Sequence, residues 1–533
     1  MTELSWLVPL PVVIPLTAAG LALALYRHPK VQQIVAVTAL ALMVVVAGAM
    51  MWAVDQGPLV VNVGEWAAPV GINLIGDRLS ALMLLVSSTV LLCVLLYSAA
   101  QGIADSSKAP VSIYHPTYLV LAAGVSNAFL AGDLFNMYVG FEILLAASYV
   151  LLTLGGTFER IRAGAIYVVV ALLSSLIFLI ALAMIYAATG TVNLAQLAQR
   201  LGEIDPNTAI VLQGLLLLAF GIKAAIFPLS SWLPDSYPTA PAPVTAVFAG
   251  LLTKVGVYAI LRTQTLLFPD GRLNDVLMWL ALATMLVGIM GAVAQDDIKR
   301  LLSFTLVSHI GYMIFGIALG SKAGIGAAIF YVAHHITVQT TLFLIVGLIE
   351  RRGGTTSLSK LGGLAKTAPF LAILFFIPAM NLAGIPPFSG FLGKVGLLEA
   401  GVELGTPTAF ALVIGSVVAS LLTLYAIVKA WNKAFWQPSP DPLPNTDLPK
   451  GMVGPATLMV VLTLTITVVA GPLYDYASRA ASTMMDNSRY INAVLGDEGR
   501  GEGESTPLDG PSPVDESDVI NSPDQGAVNN ETD

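Results

Sequence analysis

Long apolar runs, separated by short charged or proline- and glycine-rich segments, make up most of the chain. A helix needs about 20 apolar residues to cross the hydrocarbon core of a bilayer, so each such run predicts a transmembrane helix. The pattern therefore predicts an all-α polytopic membrane protein with about 14 transmembrane helices. The predicted spans are 5–26, 31–54, 79–100, 113–132, 134–155, 163–188, 209–234, 242–261, 276–295, 301–320, 324–349, 368–398, 406–428 and 453–474.

Ten of the runs form two groups of five. Residues 113–264 and residues 274–436 each hold five runs, and in both groups the fourth run is broken by proline and glycine. Because five is odd, the second group would enter the membrane from the opposite face, and inverted repeats with broken helices are typical of secondary transporters. The alternative is that these prolines only kink ordinary membrane helices. Two matching breaks, each with a lysine nearby in an apolar run, favour the repeat.

Three further segments flank the two five-helix repeats. Residues 1–112 hold the first three runs, and residues 453–476 hold the last one. We expect the first run to be a span and not a cleaved signal peptide, because Glu3 and no basic segment precedes it. Residues 481–533 contain twelve Asp/Glu, two Arg and no hydrophobic period. We predict that this acidic tail is disordered, because it has too little apolar surface to offset the entropy of ordering.

Composition agrees with a membrane protein and excludes other classes. The chain is 56% apolar and only 11% charged, whereas an average soluble protein carries about 25% charged residues. So little charge cannot cover a water-facing surface, which argues against a soluble enzyme, a nucleic-acid binder and a disordered scaffold. The single cysteine, Cys93, excludes an internal disulfide and any multi-cysteine metal site.

The distribution of Lys and Arg predicts the orientation of the chain in the membrane. With the N-terminus outside, fourteen of the 25 Lys/Arg fall on one side of the predicted spans and eight on the other side or in the tail. The richer side should be cytoplasmic by the positive-inside rule. We therefore expect a multi-pass protein of a bacterial plasma membrane with both termini extracytoplasmic.

Four ionisable residues lie within apolar runs, and they are the first candidates for function. They are Glu142, Lys223, Lys254 and Lys394. A charge at the bilayer centre costs roughly 2.5–3.5 kcal/mol even on a lenient insertion scale. One Glu–Lys pair could be structural, but it would leave two lysines unpaired. We therefore favour a functional polar pathway within the membrane.

Proton transfer is the chemistry that buried Lys and Glu side chains permit. A lysine in water keeps its proton, burial favours its neutral form, and a nearby carboxylate favours its charged form. At ~4 Å and an effective dielectric constant of ~20 the attraction is about 4 kcal/mol, or roughly three pKa units. Making and breaking one Glu–Lys contact can therefore switch a lysine between holding and releasing a proton.

Three histidines in apolar runs of the second repeat could relay protons as well, because histidine titrates near neutrality. They are His309, His334 and His335. The alternative for each is a core histidine bonded to a neighbouring helix. Polar residues in the same runs would complete a seam; they are Ser308, Thr337, Gln339 and Thr340. No HExxH or other metal spacing is present, and we expect neither a metal site nor a cofactor.

Five motifs carry a specific resemblance over roughly residues 75–436. They are FNMYVGFEILLAASYVLL, SSWLPDSYPTAPAPVTAVFAGLLTKVGVYAILR, DDIKRLLSFTLVSHIGYM, AHHITVQTTLFL and AGIPPFSGFLGKVGLL. The chain resembles the antiporter-like subunits shared by respiratory NADH:quinone oxidoreductase and the multisubunit Mrp/Mnh cation/proton antiporters. It is most similar to the D-type subunits of the Mrp branch, because the stretch after WLPD lacks the histidine common in respiratory relatives.

The resemblance implies roles for single residues. Glu142 matches the family's glutamate of the fifth span, Lys223 and Lys254 match its lysines of the seventh and eighth, and Lys394 matches its ionisable residue of the twelfth. His309 and His335 match relay positions of the second half. One departure is Gln339, where many relatives carry a lysine. The family arrangement implies a chain of these groups at the membrane midplane, joined to water-filled half-channels.

The leading interpretation is a non-enzymatic subunit of a hetero-oligomeric antiporter. It would exchange cytoplasmic Na⁺, or another monovalent cation, for external H⁺. Its partners would be other membrane subunits, and we expect no nucleic-acid partner. One alternative is a proton-pumping, non-redox subunit of a NADH dehydrogenase or membrane hydrogenase complex. Another is a scaffold that only braces its partners, against which the intramembrane Glu and Lys argue. The tail could concentrate cations, although an inert solubilising role is the simpler interpretation.

Overall fold

The computed structural model describes residues 4–102, 111–440, 442 and 446–496, and these form helices and one small hairpin. The helices are α1 (Leu10–Ala24), α2 (Pro29–Ala53), α3 (Arg78–Gln101), α4 (Val111–Leu130), α5 (Leu134–Thr153), α6 (Phe158–Thr189), α7 (Leu194–Arg200), α8 (Pro206–Ala224), α9 (Trp232–Ser236), α10 (Ala242–Val247), α11 (Thr253–Leu266), α12 (Asn274–Ala294), α13 (Ile298–Ala318), α14 (Lys322–Gly353), α15 (Leu364–Thr367), α16 (Pro369–Ala383), α17 (Ser389–Leu404), α18 (Pro407–Trp431), α19 (Lys450–Val468), α20 (Ala470–Met485) and α21 (Asn487–Leu495). Two π-helical turns, Phe248–Leu252 and Asn432–Trp436, extend α10 and α18.

The predicted helical membrane fold is confirmed. Among the described residues, twelve helices are long and apolar enough to cross a bilayer. Helix α4 and the broken pair α16–α17 are not among these twelve, so the predicted count of fourteen stays a prediction. The same is true of the inverted repeat and of the domain boundaries drawn from it.

Helix α14 forms the centre of the second half of the protein. It is 32 residues long, and the most apolar stretch of the helix is fully buried inside the protein. Helices α3, α10, α13, α16, α17, α19 and α20 pack around it. A helix that is apolar on all sides is stable only when it is surrounded in this way. Polar side chains on α14 are therefore held away from lipid.

Both predicted helix breaks are present. Helix α8 ends at Ala224, and an irregular segment precedes the short α9. Helix α16 ends at Ala383 and is followed by Gly384, which has φ +82°, and α17 begins at Ser389. Prolines follow each end and cannot continue the hydrogen-bond ladder of the helix. The last carbonyl groups of α8 and α16 therefore lack helical partners within the apolar interior.

A β-hairpin between α2 and α3 was not predicted. Strand β1 (Leu59–Asn62) pairs antiparallel with β2 (Asn73–Gly76) in the register Leu59↔Gly76. Each strand has only four residues, which is too short for an alternating pattern to be recognised in the sequence. The hairpin reaches the start of α5, because Gly132 N donates to the carbonyl of Asn73 over 2.9 Å.

The predicted start of the disordered tail at residue 481 was wrong. Helix α19 ends at Val468, and α20 and α21 continue as helices to Leu495. The sequence interpretation weighted the charges of this stretch and overlooked its one-sided apolar pattern. The buried side chains of that face are Tyr476, Ala477, Ala480, Ala481, Met484, Tyr490 and Val494. The rest of the predicted tail, residues 497–533, lies outside the described residues.

Ion pairs join the ends of neighbouring helices, and they form two sets. In the first set, Asp55 pairs with Arg78 and Arg479, which joins the end of α2 to α3 and α20. The hydrogen bond from Arg78 holds the pKa of Asp55 below its usual value. In the second set, Lys299 pairs with Glu350 over 2.7 Å, which joins α13 to α14. The second set lies at the side predicted to be cytoplasmic.

One ion pair is fully buried. Arg262 donates two hydrogen bonds to Asp77, over 2.6 and 2.9 Å, and both side chains are about 6% exposed. Tyr258 accepts a further bond from the same guanidinium over 3.1 Å. The sequence carries no local signal for this pair, because its two members are 185 positions apart.

Removing one partner of this buried pair should destabilise the protein strongly. We expect Asp77→Ala to cost about 3–5 kcal/mol of folding free energy, because it leaves a guanidinium buried without a counter-ion. Asp77→Ala combined with Arg262→Met should recover most of that loss. The measurement is thermal unfolding of the purified protein in detergent. The exposed pair Arg272–Asp270 provides the control, and Asp270→Ala should cost no more than about 1 kcal/mol. A double variant as unstable as Asp77→Ala would contradict this account.

Candidate functional site

The four intramembrane ionisable residues lie on four different helices. Glu142 is on α5, Lys223 is at the end of α8, Lys254 is on α11 and Lys394 is on α17. The three lysines are at most 8% exposed, and Glu142 is half-buried. Two of the lysines lie beside the helix breaks described above. Each of the four side chains bonds to a protein partner, and these partners differ in a way that the sequence did not reveal.

Glu142 and Lys223 are connected through the hydroxyl group of Ser175. Lys223 Nζ donates to Ser175 Oγ over 3.1 Å, and Ser175 Oγ donates to Glu142 Oε1. Ser175 is on α6, which packs against both α5 and α8. The sequence analysis predicted a Glu–Lys contact but missed the serine. The signal was available, because Ser174 and Ser175 interrupt a long apolar run.

Aromatic rings cover one side of this Glu–Ser–Lys cluster. Lys223 Nζ lies 4.8 Å from the ring centre of Phe141, within reach of a cation–π attraction. Phe178 lies three residues after Ser175, and Phe220 lies three residues before Lys223; their ring centres are 4.8 Å apart. Because α6 and α8 run in opposite directions, both rings lie toward the end of the bundle where the β-hairpin is found. They close that side against water.

The opposite side of the cluster contains a small cavity. Its volume is about 20 Å³, and Lys223, Tyr167, Trp232 and Tyr237 are among the residues that line it. A cavity needs about 10–15 Å³ to hold one water molecule, so this one has room for about one. The hydroxyl group of Tyr237 is buried and has no protein partner. A water molecule in the cavity would satisfy that group.

Lys254 is held by a carbonyl group that a π-helical turn releases. Its Nζ donates to the carbonyl of Ala249 over 2.6 Å, within the turn Phe248–Leu252. A π-turn shifts the helical hydrogen-bond pattern and frees backbone groups, which is frequent at functional sites. Gly250 in this turn lies against α14: a Cβ there would be 2.1 Å from Thr340 Oγ1. The turn therefore brings α11 close to the polar face of α14.

Lys394 occupies the end of the broken helix α16. Its Nζ donates to the carbonyls of Ala383 and Leu382, over 2.9 and 3.3 Å, and to Ser420 Oγ over 2.9 Å. These carbonyls have no helical partner because α16 ends at Ala383. Half-helix ends of this kind hold cations in other transporters. Here the lysine ammonium group takes that position, 5.0 Å from the ring centre of Tyr312.

The three predicted histidines form one cluster on α13 and α14, around the ring of Tyr331. His309 Nδ1 bonds to the hydroxyl of Tyr331 over 2.7 Å, and the rings of His309 and His335 are 5.1 Å apart. His334 Nδ1 bonds to Ser389 Oγ, at the start of α17, over 2.9 Å. The cluster therefore connects α13 and α14 to the helix that carries Lys394.

Several ring nitrogens in this cluster lack a protein partner. They are Nε2 of His309, Nε2 of His334 and both nitrogens of His335, all buried. Buried polar atoms without protein partners are normally bonded to ordered water. Gln339, one turn after His335, donates to the carbonyl of Leu302 over 2.8 Å, and its Oε1 is free of protein partners as well. We therefore expect water between these groups.

The described contacts do not connect Lys223 directly to Lys254. Their helices, α8 and α11, pack closely at Gly256, where a Cβ would lie 2.7 Å from the backbone nitrogen of Ala224. The remaining members of the predicted seam are bonded to backbone: Ser308 donates to the carbonyl of Met285, and Thr337 to that of Ala333. Among the described residues, the candidate site thus has two parts: a hydrogen-bonded Glu–Ser–Lys cluster, and a histidine cluster that has no direct hydrogen bond to Lys254 or Lys394.

Fold and site together define a class of membrane protein. A family model described as "NADH:quinone oxidoreductase/Mrp antiporter, TM" matches residues 131–423, which include all the ionisable residues above. The chain belongs to this family. The family includes both respiratory and antiporter subunits. The individual relatives indicate which of the two groups this chain is more similar to.

Two curated proteins that are similar to this chain are named as D subunits of Na⁺/H⁺ antiporters. The chain is 40% identical to the D-type antiporter protein of Alkalihalophilus pseudofirmus over 500 residues, 92% of this chain and 99% of that one. It is 38% identical to the corresponding protein of Bacillus subtilis over 491 residues, 91% of this chain and 98% of that one.

Solved structures with this fold come from membrane complexes. A chain of the Mrp complex from a Dietzia species has TM-score 0.86 and 35% identity, covering 93% of this chain and 100% of that one. A chain of the archaeal membrane-bound sulfane sulfur reductase has TM-score 0.84 and 26% identity, covering 92% and 100%. A chain of respiratory complex I from Thermus thermophilus has TM-score 0.78 and 25% identity, covering 90% and 99%.

Proposed function

We propose that this chain is the proton-translocating membrane subunit of a multisubunit antiporter that exchanges Na⁺, or another monovalent cation, for H⁺. Its curated relatives are Na⁺/H⁺ antiporter subunits matched over nearly their full length. A chain of an Mrp complex has the same fold. On this basis the protein is a subunit of a membrane transporter and not a catalytic enzyme, and other subunits of such a complex are its partners.

The observation that carries the proposal is the arrangement of ionisable side chains within apolar helices. Protons would pass between Glu142 and Lys223 in the first half of the protein. In the second half they would pass from Lys254 through His335 and His309, with His334 beside them, to Lys394. The ring centres of His309 and His335 are 5.1 Å apart, and water bonded to their unpartnered nitrogens would connect the two side chains.

Access from the two sides of the membrane would differ. Protons would reach the first cluster from the cytoplasmic side by way of the cavity beside Lys223, which Trp232 and Tyr237 of the segment after α8 also line. The rings of Phe178 and Phe220 would close its other side. Each charge that crosses the membrane gains roughly 2.3 kcal/mol per 100 mV, so inward proton flow can drive the outward movement of a cytoplasmic cation.

A second candidate is a non-redox, proton-pumping subunit of a respiratory complex. The similarity to chains of complex I and of the sulfane sulfur reductase favours it. Those identities are 25% and 26%, against 38% and 40% for the antiporter subunits. The antiporter is therefore the better supported of the two.

Glu142→Gln should abolish transport without unfolding the protein. The amide retains the volume of the side chain, but it cannot take up a proton at neutral pH. The measurement is the Na⁺-dependent change of the internal pH of everted vesicles that contain the complete complex. Glu403→Gln provides a matched control, because Glu403 is an exposed carboxylate near the end of α17. Transport by Glu142→Gln at the wild-type rate would overturn the proposed pathway.

Cysteine labelling tests the predicted orientation. The native Cys93 is buried, so an introduced surface cysteine should be the main reactive thiol. An impermeant maleimide should label Asp270→Cys in right-side-out vesicles and Lys360→Cys only in everted ones. Both positions are exposed and lie at opposite ends of the helices. The reverse labelling pattern would show that both termini face the cytoplasm.

A further inference from the structure

The hydroxyl group of Ser175 is the only described link between two ionisable side chains of the first cluster. It accepts a hydrogen bond from Lys223 Nζ over 3.1 Å and donates one to Glu142 Oε1. Both contacts use the same oxygen atom, and the described residues contain no ion pair that joins Glu142 to Lys223 directly. Ser175 is 4% exposed, so bulk water does not compete for the bridge.

We propose that Ser175 is a catalytic residue of the proton pathway. The hydroxyl group of Ser175 passes protons between Lys223 and Glu142. This inference rests on the proposed function and adds the atom through which the first step occurs. A hydroxyl group is suited to the role because it can donate one hydrogen bond while it accepts another.

The transfer balances without any further reactant. One N–H bond of the Lys223 ammonium group breaks as an O–H bond forms on Ser175 Oγ. The original O–H bond of Ser175 breaks as its proton binds Glu142 Oε1. The products are a neutral amine and a neutral carboxylic acid, and the serine is unchanged apart from the direction of its O–H bond. The reverse movement restores both charges.

Two other serines show that the contact is specific. Ser174, the preceding residue, donates to the backbone carbonyl of Ala219 over 2.8 Å, so it connects α6 to α8 without joining ionisable groups. Ser420 accepts from Lys394 but donates to the carbonyl of Ala383 over 3.1 Å, and a carbonyl group cannot take the proton on. Ser175 alone among these three has a proton donor on one side and a proton acceptor on the other.

The packing of the helices makes the serine necessary. Helix α6 lies against both α5 and α8, so its residues occupy the space between Glu142 and Lys223. An alanine at position 175 would fill that space with a methyl group and leave two charged groups facing an apolar side chain. Neither group would then have a route for its proton through the described contacts.

The test compares Ser175→Ala, Ser175→Thr and Ser174→Ala in the complete complex in everted vesicles. We expect Ser175→Ala to lower the maximal rate of Na⁺-dependent proton movement about a hundredfold, the size typical of a lost proton-transfer group. The Na⁺ concentration for half-maximal rate and the amount of assembled complex should stay at wild-type values. Ser175→Thr keeps the hydroxyl group and should restore transport, and Ser174→Ala should transport normally.

The outcomes separate this inference from the proposed function. If Glu142→Gln is inactive while Ser175→Ala transports at the wild-type rate, the role of Ser175 is overturned and the pathway through Glu142 stands. Equal losses in Ser174→Ala and Ser175→Ala would also overturn it, because they would indicate a packing role for both serines. If Glu142→Gln itself transports normally, the proposed function fails first.

Discussion

Every charge inside the membrane must find its partner within the protein, because lipid offers none. This constraint explains the least regular parts of the fold. The end of α16 supplies carbonyl oxygens to Lys394, the π-turn before α11 supplies one to Lys254, and a serine on α6 stands between Lys223 and Glu142. Irregular backbone and isolated hydroxyl groups thus occur where an ammonium group must be accommodated.

The two halves meet this constraint in different ways. In the first half, a lysine and a glutamate share a hydroxyl group, and aromatic rings shield one side of them. In the second half, Lys394 is bonded only to neutral oxygen atoms, and the same half contains histidines with free ring nitrogens. Gln339 belongs to this half, and its amide bonds to a backbone carbonyl. In the proposed pathway, the second half would therefore depend more on histidine and water.

Much of this arrangement could be predicted from the sequence, because hydrophobic runs and isolated charges are local signals. The helical membrane fold and both helix breaks were predicted in this way, and the family was predicted from the resemblance of five sequence motifs. The Asp77–Arg262 pair could not be, because 185 positions separate its members. Ser175 was missed because a serine in a membrane helix usually bonds to its own backbone. The helices α20 and α21 were missed because their charges concealed a narrow apolar face.

A density map of the complete complex, at a resolution that shows ordered water, would test the central claim most directly. Our account predicts one water molecule in the cavity beside Lys223. It also predicts water molecules that bridge the free nitrogens of His309, His334 and His335 and link them to Lys254 and Lys394. A dry interior around these side chains, with no water within hydrogen-bonding distance of any free nitrogen, would contradict a continuous proton pathway.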